Sequence, residues 1–255
     1  MRVATYNTRH GLPERATVID SGGLAATVGR LDCDVVALQE LDRGTRRVGG
    51  LDQPAHIATA IGAEVRFARA IDFDGGEYGI ALASRTGFHR SEVLRLPGAG
   101  EPRVALLALV GPGARPGDRV GGDIAAPGGT GDVRDDRLGG WAVGSMHLST
   151  AAGDALIQLR LVLRELESFA DGRPAVLLGD LNLGPLRVAP VIAAAGWVAA
   201  PSGPTHPAIR PRRRIDWVLA RRASVIDSWV PNVLASDHRP LVADLIRGDQ
   251  SVGRP

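Results

Sequence analysis

The chain has 255 residues, 44% of them hydrophobic, enough to fill the core of one large domain or two small ones. It offers no run of twenty apolar residues to span a bilayer, and its single cysteine, Cys33, excludes an intrachain disulfide and a cysteine-ligated zinc or iron–sulfur centre. All 30 basic residues are arginine and the net charge at pH 7 is only +2, so the pI of 9.3 reflects groups that do not titrate below about pH 12 and is poor evidence for a polycation built to bind nucleic acid.

In chain order, strands are expected at 2–7 and 34–39, with helices near 22–31 and 53–62. Strands follow near 64–70, 78–84, 88–96 and 104–110, then at 141–147. The surest helix is 153–170, where Leu156, Leu159, Val162, Leu163 and Leu166 form one apolar stripe. A strand at 174–179, a helix near 188–195 and strands near 215–220, 224–230 and 240–246 complete the pattern. Strands outnumber helices and many adjoin in sequence, which calls for sheets of mixed direction in an α/β (α+β) fold. Residues 1–248 read as a single domain, with a frayed tail at 249–255. The segment 111–140 carries ten glycines and three prolines without apolar periodicity. It reads as a flexible surface insertion between two strands that could pair as a hairpin, or as a substrate lid. The chain enters a strand at once, leaving no room for a signal peptide, so the cytoplasm is the expected location; no protein partner is evident, and a monomer is expected.

Chemistry concentrates at strand ends. Gly179-Asp180-Leu181-Asn182 follows the apolar run 175–178, placing a carboxylate and a carboxamide two residues apart at the strand's exit. Ser236-Asp237-His238 stands just before the apolar run 240–243, and Arg214-Ile215-Asp216-Trp217 puts another acid inside an apolar strand, where an unpaired carboxylate is costly. Oxygen ligands and an imidazole delivered together are the parts needed for metal-assisted attack on phosphorus, and hard oxygen donors without sulfur suit Mg2+, with Mn2+ as substitute. Asp180 and Asn182 can handle the nucleophilic water, the carboxylate taking its proton and the neutral amide holding a phosphate oxygen. Asp216 behind His238 would fix the imidazole's tautomer and favour its charged form.

With Tyr6-Asn7 on the first strand, Leu38-Gln39-Glu40 on the second and Ser145-Met146-His147-Leu148 on a later one, these motifs form an ordered set of six. The set resembles the endonuclease/exonuclease/phosphatase superfamily, which includes deoxyribonuclease I, abasic-site endonucleases, neutral sphingomyelinases and inositol polyphosphate phosphatases. It implies a four-layered α/β sandwich of the deoxyribonuclease I-like kind, two packed mixed β-sheets with helices outside. It further implies that Glu40 is the principal metal-binding carboxylate, with Asn7 and Asp237 completing the oxygen shell, and that His147 acts as a second imidazole. Abasic-site endonucleases lack that histidine, which sets this chain nearer the other branches. Asp180 is then either the base or a group that orients water and holds a second metal. Tyr78 and Arg103 resemble family positions near the substrate, although Ile80 stands where many relatives have asparagine. Arg43, Arg46 and Arg47 follow Glu40 and could clamp a second phosphate or form a solvated turn. Arg212–Arg214 reads as a basic surface loop, and His56, His89 and His206 fall outside the motifs.

The resulting expectation is a Mg2+-dependent phosphohydrolase, first a phosphodiesterase or nuclease. A phospholipid or inositol-phosphate phosphoesterase of the same family is the rival within the class, and an inactive binding module the rival outside it. With 4% aromatic residues and no conspicuously apolar loop, the sequence gives little support to a lipid surface.

Overall fold

The structure is a computed structural model that describes residues 1–111 and 140–248. The glycine-rich segment expected to form a surface excursion at 111–140 lies outside the described residues except at its two ends, and so does the tail from 249.

Two six-stranded sheets pack face to face. The first is built from β1 (Arg2–Asn7), β2 (Val35–Arg43), β3 (Glu64–Phe73), β4 (Gly76–Ser84), β11 (Ala223–Trp229) and β12 (Leu241–Arg247), in the order β11-β12-β1-β2-β4-β3. The second takes β5 (Phe88–Leu96), β6 (Arg103–Val110), β7 (Trp141–His147), β8 (Ala175–Asp180), β9 (Val198–Ala199) and β10 (Asp216–Arg221), in the order β5-β6-β7-β8-β10-β9. Each sheet has one parallel pair, β1 with β2 and β7 with β8, and all its other neighbours are antiparallel. The strands flanking the glycine-rich segment do pair as a hairpin, Val110 opposite Trp141.

Helices α1 (Ser21–Arg30) and α2 (Gln53–Ile61) cover the outer face of the first sheet, and α3 (Ala152–Ala170) and α4 (Pro185–Ala194) cover the second. Their ends follow from local chemistry. The Asp20 and Asp52 carboxylates accept the orphan amides of Gly23 and Ala55 at 2.7 and 2.9 Å, and Gly62 closes α2 in the left-handed conformation. Helix α4 starts earlier than its apolar pattern suggests, because Pro185 at its first position needs no amide partner.

Four layers explain why the central strands are apolar on both faces. Val3, Val35, Leu82, Leu106, Val176 and Val218 fill the space between the sheets. Alternate residues such as Leu107, Leu177 and Trp217 meet α3 and α4, while Ala4, Val36 and Leu38 meet α1 and α2. The hairpin β3–β4 is longer than the sequence pattern implied. Asp74 and Gly75 both take positive φ (46° and 81°), the geometry of the two-residue turn that suits twisted strands. No helix among the described residues is long and apolar enough to cross a membrane.

Candidate active site

The site forms where the exits of β1 and β8 meet between the sheets. Asn7 is the last residue of β1 and Asp180 the last of β8. Asp180 pairs in register with His147, the last residue of β7, and with Asp216, the first of β10. Three strand termini in one sheet therefore deliver three polar side chains to one point. Gly179 permits this convergence: a Cβ there would lie 2.1 Å from the carbonyl oxygen of Met146 on β7. Glu40 comes from the other sheet, at a bulge where the β2–β4 register slips between Leu38 and Leu41, and its φ of +59° turns it out of the ladder.

Asn7 links the halves. Its Nδ2 donates to Glu40 Oε1 at 2.9 Å and to Asp180 Oδ2 at 3.1 Å, while its Oδ1 accepts the Arg9 amide at 3.2 Å. Burial pushes the Glu40 carboxyl above its ordinary value, and the nearby Asp237 charge adds to this against the relief given by Asn7 and His238. Burial and then the Asp216 charge raise Asp180 to about 7, although His238 and the Asn182 amide, which donates to Oδ1 at 2.8 Å, both favour its ionised form. Asn182 sits in the left-handed conformation (φ 51°) with its side-chain amide donating to the Leu148 carbonyl at 3.0 Å.

The two imidazoles on Asp180 are held in opposite protonation states. His238 is buried, which opposes its charge. However, Asp216 at 2.9 Å from Nδ1, together with Asp180 and Asp237, outweighs that cost and holds the ring's pKa at about 10. Its Nδ1–H points to Asp216, and its Nε2 lies 3.8 Å from Asp180 Oδ2. Asp216 is fully buried and also accepts the Thr205 hydroxyl. His147 is the reverse case. Burial, then Arg103 and His238, pull it well below the usual histidine range. A guanidinium can only donate, so the Arg103 Nη1 contact at 2.9 Å makes His147 Nδ1 an acceptor and leaves the proton on Nε2, 3.7 Å from Asp180 Oδ2.

Of the residues singled out in the sequence, Asn7, Glu40, His147, Asp180, Asn182, Asp216, Asp237 and His238 come together here. Tyr78 and Arg103 line a small hollow with His147 and Ile80. Arg43 does not join them: its guanidinium pairs with Glu77 and lies 4.8 Å over the Phe67 ring. Arg46 pairs with Asp74, and Arg47 grips Asp42 with two hydrogen bonds of 2.5 and 2.7 Å while stacking on Phe73 and Tyr78. These arginines brace the β2–β4 end instead of offering free cations.

His206, given no role from sequence, does belong to the site. Its ring centroid lies 4.6 Å from that of His238, and its Nε2 is 4.0 Å from Asp237 Oδ2. Arg9 reaches the same carboxylate at 3.7 Å. The signal for both was positional. Arg9 lies two residues past Asn7, and Thr205-His206-Pro207 runs into the Asp216 strand, but neither falls on a periodic element.

The donor set fits a hard divalent cation. Glu40 and Asp237 supply carboxylate oxygens beside the Asn7 amide, sulfur is absent because Cys33 is buried in the α1–β2 core, and burial destabilises the Glu40 and Asp180 anions beyond what Asn7, Asn182, His238 and Arg103 offset.

Sandwich, buried carboxylates and paired imidazoles make this a candidate hydrolytic centre for phosphoester bonds. Residues 4–238 match the profile of the Endonuclease/Exonuclease/phosphatase family, and the chain belongs to that family. It is accordingly a phosphoester hydrolase of a generally metal-dependent class. Among solved structures, an endonuclease/exonuclease/phosphatase from Beutenbergia cavernae DSM 12333 is similar over 99% of this chain and 73% of its own, with 28% identity and a TM-score of 0.74. The human Nocturnin catalytic domain with bound sulfate (16% identity, TM-score 0.68, covering 97% and 94%) shares the fold. So does D. rerio TDP2 complexed with a single-strand DNA product (17%, 0.69, 96% and 98%). No curated protein matches the chain at a significant level.

Proposed function

We propose that the chain is a Mg2+-dependent phosphodiesterase that cleaves a P–O bond of a nucleic-acid strand by attack of water. The observation that carries the reading is the unequal pair of imidazoles beside Asp180, one charged and one neutral, with their Nε2 atoms 3.8 and 3.7 Å from the same carboxylate oxygen. Glu40, Asn7 and Asp237 would hold the cation, which when bound polarises the phosphoryl group and offsets charge on its oxygens.

The chain's own residues divide the remaining work. Asp180, with a pKa of about 7, accepts a proton from the attacking water near neutral pH, where a base is most effective. Asn182, fixed through its amide to the Leu148 carbonyl, orients that water. His238 brings a fixed positive charge, kept by Asp216, to oxygens that gain negative charge in the transition state. His147 offers a neutral N–H donor locked by Arg103, and Tyr78 closes the hollow beside it. The DNA product in a structure of similar fold supports a nucleic-acid strand as the first substrate to test.

The test is a panel of bis-p-nitrophenyl phosphate, p-nitrophenyl phosphate, a single-stranded DNA oligonucleotide, sphingomyelin and inositol phosphates, each with Mg2+ and with EDTA. Mg2+-dependent cleavage of the diester and the oligonucleotide is the expected result. Preferential turnover of sphingomyelin or an inositol phosphate would replace the substrate in this reading, and no turnover of any of them would remove it.

A further inference from the structure

A groove of about 530 Å³ lies on the opposite side of the second sheet from the site, between α3 and α4. Its volume falls in the range of small-ligand pockets. Leu163, Val191 and Trp197 form a buried apolar floor, at 2%, 7% and 4% exposure, with Leu156 beside them. The walls are of one sign: Arg160, Arg164, Arg187 and Arg221 stand against a single acid, Glu167. That is three positive charges in excess around one groove, on a chain whose whole net charge is only +2.

The partners of these charges separate the structural ones from the free ones. Glu167 is taken up by Arg221 at 2.6 Å and Arg222 at 2.5 Å, and Arg164 pairs with Glu165 at 2.6 Å. Among the described residues, Arg160 reaches only the Leu156 carbonyl of its own helix, at 3.4 Å, and Arg187 makes no ion pair. Two guanidinium groups without an acid among the described residues thus line one apolar groove from opposite helices. Arginine is the residue suited to hold a carboxylate or sulfonate through paired N–H donors.

We infer that this groove is a binding site for a small amphiphilic anion, its acyl or aromatic body on Leu163, Val191 and Trp197 and its acidic head between Arg160 and Arg187. The probe is anilinonaphthalene sulfonate, titrated by fluorescence against the native full-length chain, with decanoate and decanol as competitors. One saturable site is expected, displaced by decanoate at a concentration at least about tenfold lower than by decanol, the loss of one charge-assisted contact. Arg187→Glu should weaken the probe about tenfold, and Ala194→Trp, which fills the groove from an exposed position, should abolish binding. Both variants should keep the wild-type melting temperature, which shows that they fold. Non-saturable binding, equal displacement by decanol, or wild-type affinity in both variants would overturn the proposal. So would displacement by an acidic amphipathic peptide but not by decanoate, which would assign the groove to a protein partner.

Discussion

Asp216→Asn isolates the role given to the buried carboxylate behind His238. At 2.9 Å and an effective dielectric near 20, a carboxylate–imidazolium pair is worth about 6 kcal/mol. Together with the smaller contributions of Asp180 and Asp237, it outweighs the burial that opposes the charge and holds the ring near 10. The amide keeps the shape of the side chain but removes the charge. With only Asp180 and Asp237 left to oppose burial, the His238 pKa should fall from about 10 to its ordinary value of about 6.5 or below. The ring would then be mostly neutral at pH 7.5, and kcat should drop roughly 10²–10⁴-fold, as when a general acid–base or its orienting partner is lost. The sign is definite: wild-type His238 loses its proton only as pH rises through about 10, so the alkaline limb of the rate profile should move down by several pH units in the variant. The ring can be followed directly in metal-free protein by NMR of its imidazole nitrogens between pH 5 and 11. An unmoved titration near 10 with kcat within threefold of wild type would refute the pairing.

Further outcomes follow from the same geometry. Arg103→Ala removes the donor that fixes the His147 tautomer, so the ring should become more basic and its Nδ1–H form should appear in the nitrogen spectrum, with a loss in kcat of about tenfold or more. Asn7→Ala leaves Glu40 and Asp180 without their shared donor; thermal melts should show a loss of about 1–3 kcal/mol, and Mg2+ should restore part of it. Gly179→Ala forces a Cβ against the Met146 carbonyl, so activity should fall together with melting temperature. Leu166→Ala, in the core under α3, should cost about 2–5 kcal/mol and leave kcat of the folded enzyme unchanged.

The sandwich was legible because its central strands are buried on both faces and read as unbroken apolar runs, as in 35–38 and 175–178. The residues that the structure brings together in the candidate site were legible for a related reason: most stand at or just beyond the ends of such runs, where neighbouring strand termini can gather polar side chains at one point. Glu40 was found, but not the bulge that turns it outward, since a slip of register leaves no mark on periodicity. Thr205 and His206 were missed because their segment has no repeating pattern. They are carried to the site by long-range backbone bonds, Arg239 to the Thr205 carbonyl at 2.8 Å and Ala208 to the Asp237 carbonyl at 2.7 Å. Arg43 was overrated for the opposite reason. Nearness in sequence to Glu40 suggested nearness in space, but strand alternation and Glu77 take the guanidinium elsewhere.

Metal-dependent hydrolysis at the Glu40–Asp180 centre is tested by the Mg2+ titration of diester cleavage. Chelator-treated wild type, Glu40→Gln and Asp180→Asn would be compared on bis-p-nitrophenyl phosphate and on the single-stranded oligonucleotide. Wild type should show no cleavage without metal and a saturable recovery as Mg2+ is added. Half-saturation should move to higher Mg2+ in Glu40→Gln, and the Asp180→Asn rate should be lower by about 10²-fold or more at any Mg2+ concentration. Full activity in the chelated enzyme, or a wild-type Mg2+ curve and rate in both variants, would contradict metal-dependent hydrolysis at this centre.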